Sequence, residues 1–216
     1  MIRTLKSLAP LFCAAVLLSA CMGGGASAPT HYYVLTSTGS APSPGGASAA
    51  AGPSVDLARV ALPEYLNQSS IVTRGQGNEV MRSEFDLWAG PLADEVTRTL
   101  GENLALALPT DRLSTGAGRR GVATDFVVEV EIVAFERDAA NTVQLVARWS
   151  VSRDDGRNLI AMRRTAYKEA ATADYGSTAA AMSRVLAALS TDIAAAISKS
   201  ATARAGTPAS PRAPGS

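Results

Sequence analysis

The chain has 216 residues, with 20 lysines and arginines against 19 aspartates and glutamates, and a formal net charge of +1. A balance so close to neutral excludes the strong basic excess that is typical of nucleic-acid-binding domains. Two cysteines and 47% hydrophobic residues suit one domain that depends on a packed core rather than on disulfides.

The amino-terminal segment has the three parts of a secretory signal peptide, followed by a cysteine. Arg3 and Lys6 precede a charge-free apolar run at 8–18, and small residues then lead to Cys21. This layout is typical of a secretory signal, and the run is shorter than the roughly 20 apolar residues that cross a bilayer core. We therefore expect residues 1–20 to be removed, which leaves 18 basic and 19 acidic residues in a mature chain of 196.

Leu18-Ser19-Ala20-Cys21 resembles the bacterial lipobox. The resemblance implies that Cys21 receives a diacylglycerol thioether, that the signal is cut before it, and that its new amine is acylated. Each buried methylene contributes about 0.8 kcal/mol, so several acyl chains would hold the mature chain on a membrane. An ordinary signal peptide with a chance cysteine is the alternative.

The remaining chain divides into a tether, one domain and a tail. Residues 21–30 show no apolar periodicity and are predicted to be a flexible tether. A single α+β domain is predicted over 31–200. It begins with a strand at 31–35 and contains a Ser/Gly/Ala/Pro-rich disordered insertion at 37–54, between strands that we expect to pair. A disordered tail is predicted at 201–216.

Alternating apolar and polar residues, together with short β-branched runs, predict the strands that follow the insertion. Glycine and asparagine between the second and third of them favour a hairpin, and Asp154-Asp155-Gly156 favours a turn before the last. The final three, joined by short turns, predict an antiparallel meander. The predicted strands lie at 55–60, 71–73, 79–81, 125–135, 143–151 and 159–167.

Two amphipathic helices complete the predicted domain. Pro91 suits a first helical turn, and after it leucine or valine recurs every four residues until Pro109, which ends the helix. The second helix lies at 178–197, with an apolar face and alanines that permit close packing. The order of elements predicts a two-layer α+β fold: a mixed, largely antiparallel sheet with both helices packed on one face.

The sequence predicts no catalytic, cofactor or metal site. His31 is the only histidine, and no catalytic triad or zinc set can be assembled around it. Residues 116–121 match the dinucleotide-binding pattern, but they follow a predicted helix and open a strand, the reverse of the order that binds a pyrophosphate. Glu129 and Glu131 are interpreted as a solvated strand face, and Arg163-Arg164 as pointing to opposite faces.

Three segments stand out by their order. They are Tyr32-Tyr33-Val34-Leu35, then Leu62-Pro63-Glu64-Tyr65-Leu66-Asn67 leading to Ile71-Val72-Thr73-Arg74, and Leu87-Trp88-Ala89-Gly90-Pro91-Leu92. The second is a strand, a proline–aromatic corner and a return strand, and the third is an aromatic anchor before a helix. Each alone is typical of core packing. The residues that we select as candidates for partner contact or a structural role are Tyr33, Pro63, Tyr65, Leu66, Arg74, Trp88, Pro91 and Leu92.

Together these segments resemble the auxiliary lipoproteins of ABC-type transport systems, the paraquat-inducible (Pqi) auxiliary lipoprotein family, over nearly all of 31–200. The resemblance implies a non-enzymatic, periplasm-facing lipoprotein. Its implied partners are an inner-membrane permease and a mammalian-cell-entry (MCE) protein that bridges the envelope, with a homo-oligomer as a further expectation. The implied role is to help move phospholipid or another hydrophobic solute.

Met22 bears on which membrane the lipid would enter. The usual inner-membrane retention signal after the lipid cysteine is aspartate, so methionine favours the inner leaflet of the outer membrane. Two other functions stay open. One is a periplasmic carrier that binds an acyl chain between sheet and helices, and the other is an envelope enzyme of unfamiliar type.

Overall fold

Eight strands and two helices make up the described part of the chain. The computed structural model describes residues 28–38, 52–108, 110–116 and 124–205, with side chains to residue 202. All its elements belong to one compact unit that begins at His31. The strands are β1 (His31–Tyr33), β2 (Val55–Ala61), β3 (Ser70–Arg74), β4 (Val80–Trp88), β5 (Leu113–Thr115), β6 (Phe126–Arg137), β7 (Thr142–Arg153) and β8 (Asn158–Ala170). The helices are α1 (Leu92–Ala107) and α2 (Tyr175–Ala205).

The strands form one mixed sheet in which β6 has the most neighbours. On one side, β6, β7 and β8 form an antiparallel meander, as the sequence predicts. On the other side, β2 pairs in parallel with the first half of β6, and β3 pairs with its last residue. The sheet extends from β2 to β5 and from β3 through β4 to β1. The predicted hairpin between β3 and β4 is also confirmed.

Both helices pack on one face of this sheet, so the predicted α+β class is confirmed. Along β6, Val128, Val130 and Ile132 are buried, whereas Glu129 and Glu131 between them are exposed. Successive strand residues point to opposite faces, which gives the sheet a covered face and a free face. The covered face is the one that carries the buried residues and both helices.

Helix α1 lies on the sheet along a stripe of residues four apart. Leu92, Val96, Leu100 and Leu104 are all buried, and Pro91 stands directly before the first turn as predicted. At Gly101, an added Cβ would lie 3.3 Å from side-chain atoms of Leu113 and Thr115 in β5. The glycine therefore allows the helix to approach this edge strand closely.

Helix α2 is long and apolar, but it packs in the core of the domain. In the described chain it alone is long and apolar enough for a membrane span, over Tyr175–Thr202 with a mean hydropathy of 1.4. Its residues Leu186, Leu189 and Ile193 are fully buried, as expected for a core helix. The helix continues to Ala205, so residues 201–205, predicted to begin the tail, are helical.

The first strand differs from its prediction in length and in partner. It ends at Tyr33, because the backbone N–H of Leu35 donates to Glu95 Oε2 of α1 at 3.2 Å instead of to a neighbouring strand. The N–H of Thr36 donates to Ser183 Oγ of α2 at 3.1 Å, so this segment crosses both helices. Strand β1 pairs in parallel with β4. The expectation that the segment 37–54 joins strands that pair is therefore wrong.

One strand was not predicted at all. The three residues of β5 pair in parallel with the start of β2, and Gly116 follows them with a φ of +68°. The glycine-rich pattern at 116–121 thus follows a strand rather than a helix, and the next described element is β6. The described residues on either side thus show a strand before the pattern and a strand after it, and the order of strand and helix that binds a pyrophosphate is not found among them.

The predicted signal at 1–20, Cys21, most of the tether and the insertion, and residues 206–216 lie outside the described residues. The expectations for them remain predictions.

Candidate partner-binding face

The free face of the sheet carries charged side chains in rows across its strands. Glu131 of β6 lies opposite Arg148 of β7, which in turn lies opposite Arg164 of β8. Arg59 of β2 lies beside Glu129 of β6 in the parallel ladder. All five side chains are exposed, as predicted for the two glutamates.

These charged rows line a shallow depression of about 860 Å³. Leu62 and Pro63 contribute an apolar wall, and Met162 of β8, which is exposed, contributes another apolar group. The volume falls within the roughly 300–1,000 Å³ of known ligand sites. The depression therefore combines charged and apolar groups on the face that the helices leave open.

The charge pattern of the free face costs stability within the domain. Arg148 and Arg164 are directly opposite on neighbouring strands, an arrangement of like charges that destabilises a sheet. Arg148 Nη1 lies 3.3 Å from both carboxylate oxygens of Glu131. Within the described chain, Arg59 and Arg164 form no ion pair. These two guanidinium groups are available to an acidic partner.

Arg163 lies on the other side of its strand, as predicted. It is paired in register with Trp149, a buried residue of the covered face, and its guanidinium carbon lies 5.8 Å from the centre of a Trp149 ring. This cation–π contact stabilises the rim of the core. Arg163 and Arg164 therefore do not form a clamp.

Tyr65 and Arg74, two of the predicted candidates, meet at the buried carboxylate of Glu136. The Tyr65 hydroxyl donates to Oε2 at 3.0 Å, and Arg74 Nε and Nη2 donate to Oε1 at 2.8 and 2.6 Å. The backbone N–H of Phe135 donates to Oε2 at 2.7 Å. Glu136 is only 4% exposed, and these four hydrogen bonds compensate for its removal from water.

Burial and the Glu136 carboxylate raise the pKa of the Tyr65 hydroxyl to about 12. The pKa of the Arg74 guanidinium lies above its ordinary value, mainly because Arg74 itself is hydrogen-bonded to Glu136. The tyrosine is therefore a protonated donor and the arginine a cation at every physiological pH. This cluster of Tyr65, Arg74 and Glu136, which we call the brace, serves position rather than proton transfer.

The brace fixes one end of the depression. Pro63 precedes a short 3-10 turn, Glu64–Leu66, and Leu66 is buried beneath it. With Tyr65 held by Glu136, this turn sets Leu62 and Pro63 at the wall of the depression. Four predicted candidates, Pro63, Tyr65, Leu66 and Arg74, thus belong to one structural corner.

Sequence reasoning missed Glu136, the residue that joins this corner. Strict alternation along β6 places even-numbered residues with Val130 and Ile132 on the covered face. A register shift between Ile132 and Ala134 reverses the faces, so Glu136 lies on the same face as Glu131. A β-bulge of this kind leaves no distinct sequence signal here, although a charged residue inside an apolar strand is an available hint.

The other four candidates form a separate group on the covered face. Tyr33 lies beside Trp88 in the β1–β4 ladder, and its hydroxyl donates to Asp86 Oδ1 at 3.0 Å. Trp88 and Leu92 are buried, Tyr33 is half-buried against the core, and Pro91 is exposed directly before helix α1. The structure therefore places Trp88 and Leu92 in the core, Tyr33 at its rim and Pro91 at the cap of the helix.

Metal-binding clusters and a histidine site are not found among the described residues. No group of three or more histidines, cysteines, aspartates or glutamates with a suitable arrangement occurs in that part of the chain. His31 lies on edge strand β1, with Nδ1 3.5 Å from Asp86 Oδ1, and is mostly exposed. It is an ordinary strand-edge residue, as predicted.

The space between sheet and helices is filled by side chains. Phe135 and Leu145 of the sheet and Leu100, Leu186 and Leu189 of the helices are fully buried there. An acyl chain between the sheet and the helices would have to displace these core side chains. The depression of 860 Å³ lies on the opposite, free face.

Comparison with solved structures shows the same fold in other proteins. One neighbour is an uncharacterized protein, 20% identical, with a TM-score of 0.63 and coverage of 79% of this chain and 99% of that chain. Another is a Xanthomonas campestris protein of the DUF330 family, 14% identical, with a TM-score of 0.66 and coverage of 81% and 99%. No curated protein sequence matches the chain significantly.

A family model described as ABC-type transport auxiliary lipoprotein component matches residues 33–194. The match runs from β1 into α2 and contains both the brace and the charged rows. Such a family is one of membrane-associated transport components rather than of enzymes, and the resemblance predicted from the sequence is confirmed. The chain belongs to the family of ABC-type transport auxiliary lipoprotein components.

Proposed function

We propose that the chain is a lipid-anchored, non-catalytic adaptor of an ABC-type transport system. It docks the periplasm-spanning MCE protein of that system at the outer membrane and works with an inner-membrane permease. Its role is to support the movement of phospholipid or another hydrophobic solute and so the integrity of the envelope. The family match over residues 33–194 is the observation that carries this proposal.

The anchor in this proposal is Cys21, acylated after removal of residues 1–20. Met22 in place of aspartate directs the lipoprotein to the outer membrane. The domain then faces the periplasm at the end of a short tether, where an envelope-spanning partner can reach it.

The docking surface in this proposal is the free face. Arg59, Arg148 and Arg164 would contact an acidic segment of the MCE protein, and Met162 and Leu62 would contact its apolar side chains. The excess positive charge would increase the selectivity for an acidic partner and the rate of association more than the affinity. The brace would keep the wall formed by Leu62 in a fixed position during docking.

The anchor is tested by Cys21→Ser with Cys13→Ser as the matched control. Cys13 lies inside the predicted signal, so its substitution leaves the lipid site intact. We expect Cys21→Ser to move the protein from the outer-membrane fraction to the soluble periplasm, and Cys13→Ser to leave it in the membrane. A Cys21→Ser protein that stays in the outer membrane would contradict the anchor.

The docking role is tested by mild crosslinking and purification from membranes of the native host. We expect an MCE protein to be recovered with the unmodified chain and to be lost with the double variant Arg148→Glu/Arg164→Glu. Arg184→Glu is the control, since Arg184 is an exposed arginine of α2 on the covered side, paired with Glu169. Recovery of no MCE protein from the unmodified chain would count against the proposal.

A second candidate function is a lipid carrier, and the depression on the free face favours it. Arginines beside Met162 and Leu62 suit the phosphate and the first methylenes of a phospholipid. Native mass spectrometry of the Cys21→Ser chain separates the two functions. A co-purifying lipid mass favours a carrier, a bare mass favours docking, and the same spectrum gives the number of copies in any homo-oligomer.

A further inference from the structure

A second exposed surface lies at the β1–β4 end of the sheet. Tyr32 is 66% exposed, Val34 48% and Phe85 36%, although all three are large apolar or aromatic side chains. We call these three residues the aromatic edge. Val80 and Met81, at the start of β4, are also exposed. Large apolar side chains exposed close together on a surface mark contact sites.

The side chains of the aromatic edge are exposed and do not belong to the buried core of the domain. Tyr32 lies beside Leu87 in the parallel ladder, whereas the neighbouring pair of Tyr33 and Trp88 points into the core. Tyr32 therefore points away from the helices, since alternate residues share a face, and Val34 follows the strand as an exposed residue. A polar residue at either position would leave the core unchanged.

The length of the tether limits what can contact this surface. Tyr32 follows Cys21 by only eleven residues, a distance of at most about 40 Å for a fully extended chain. If these residues form the flexible tether that the sequence predicts, their typical span is about 18 Å. If Cys21 carries acyl chains, as the proposed function requires, the aromatic edge is held within reach of the bilayer surface.

The residues of the aromatic edge suit the interface between lipid and water. Tyrosine joins an apolar ring to a hydroxyl that remains hydrated, and aromatic residues are enriched at membrane interfaces. The exposed charges nearby on the hairpin are mixed, with Arg82 against Glu79 and Glu84. Attraction to anionic lipid would therefore contribute little, and apolar insertion would dominate.

We propose that the aromatic edge binds the surface of the bilayer that holds the lipid anchor. This inference rests on the proposed anchor at Cys21 and adds to it a fixed orientation of the domain. The acyl chains prevent escape, and Tyr32, Val34 and Phe85 limit rotation about the tether. The domain then presents a constant side to its partner.

The test uses spin labels on the lipidated mature chain in phosphatidylcholine vesicles. Because the mature chain has no other free thiol once Cys21 is acylated, Val34→Cys provides a single labelling site. Leu159→Cys is the matched control, since Leu159 is 56% exposed at the end of the sheet near the β7–β8 turn. A high rate of collision between the spin label and oxygen indicates that the label lies in lipid. A high rate of collision with a water-soluble nickel complex indicates that the label lies in water.

We expect the label at position 34 to collide more with oxygen than with nickel, and the label at 159 to show the reverse. High salt should not change either result, whereas Tyr32→Ser/Phe85→Ser should remove the oxygen excess at 34. Equal water exposure of both labels on chains that float with vesicles would overturn the inference and leave the anchor standing. A label at 34 that is shielded from both reagents would assign the surface to a second copy or a protein partner and would also overturn it.

Flotation of the vesicles separates failure of the inference from failure of the proposed function. A chain that does not float with vesicles has no working anchor. That result would contradict both the proposed lipid anchor and the membrane contact of the aromatic edge. A chain that floats in both labelled forms isolates the aromatic edge as the feature under test.

Discussion

The two faces of the sheet are built from the same strands, yet they have opposite characters. Along β6, Val128 and Val130 are buried under the helices, while Glu129 and Glu131 are exposed on the other side. The covered face accounts for the fold, because its side chains bury the core. The free face keeps a pair of directly opposed arginines that the fold does not need. Changes on the covered face should therefore affect stability, and changes on the free face should affect binding.

The largest effect is expected from Trp88→Ala on the covered face. Trp88 is buried beside Tyr33, and truncation of a buried tryptophan costs about 3–5 kcal/mol through lost transfer energy and a cavity. Urea unfolding of the soluble Cys21→Ser chain measures this loss. Phe85→Ala, on the same strand but exposed, is the control, and we expect it to lose less than about 1 kcal/mol. Similar losses for the two variants would contradict the division between faces.

A smaller loss is expected from Glu136→Gln, which tests whether the brace stabilises the free face. The substitution removes a buried charge that Arg74 and Tyr65 contact, and hydrogen bonds to charged groups contribute about 1.5–3 kcal/mol. Glu131→Gln, on the same strand but exposed, removes a surface pair and should cost less than about 1 kcal/mol. If urea unfolding gives equal values for both variants, Glu136 does not act as a brace.

Alkaline pH provides a third test, because it acts on one tyrosine of each face. Burial raises the pKa of Tyr65, bonded to Glu136, and of Tyr167, bonded to Asp192 of α2, to about 12. Between about pH 10 and 12 the unfolded chain loses these protons while the folded chain keeps them, so stability falls as pH rises through this range. Below about pH 10 both tyrosines stay protonated in the folded and the unfolded chain, so their titration adds no pH dependence to stability there.

Tyr65→Phe and Tyr167→Phe should each flatten this alkaline decline, and the double variant should flatten it most. Urea unfolding of the Cys21→Ser chain at a series of pH values gives the slope. A decline as steep in both single variants as in the parent would show that the raised pKa values do not govern it.

The smallest change in stability is expected from Arg164→Ala on the free face. Removal of one arginine of the opposed pair relieves a repulsion, so the free energy of unfolding should stay within about 0.5 kcal/mol of the parent or rise slightly. Recovery of the MCE partner by crosslinking should nevertheless fall. A clear loss of stability with unchanged recovery would assign Arg164 to the fold.

The features that sequence predicted well are local and periodic. The alternation at Val128 to Glu131 predicted a two-faced strand, and Pro91 with the leucines after it predicted the start of α1. These signals depend on residues close together in the chain, and the structure confirms them. The brace was only half predicted: Tyr65 and Arg74 were selected, but their partner Glu136 was not.

The features that sequence missed depend on contacts between distant segments or on irregular geometry. The bulge between Ile132 and Ala134 changes the face of Glu136. Leu35 leaves its strand because Glu95, sixty residues away in the chain, accepts its N–H. The parallel pairing of β1 with β4 and the three-residue β5 are likewise non-local or too short to show a period.

Site-specific photocrosslinking in the native host tests whether the MCE protein docks on the free face. A photoreactive residue is placed at Arg164 on the free face in one strain and at Arg184 on α2 in another, and the crosslinked products are identified by mass. We expect an MCE-protein product from position 164 and none from position 184. A product from position 184 alone, or none from either position while the transport system is present, would contradict docking through the free face.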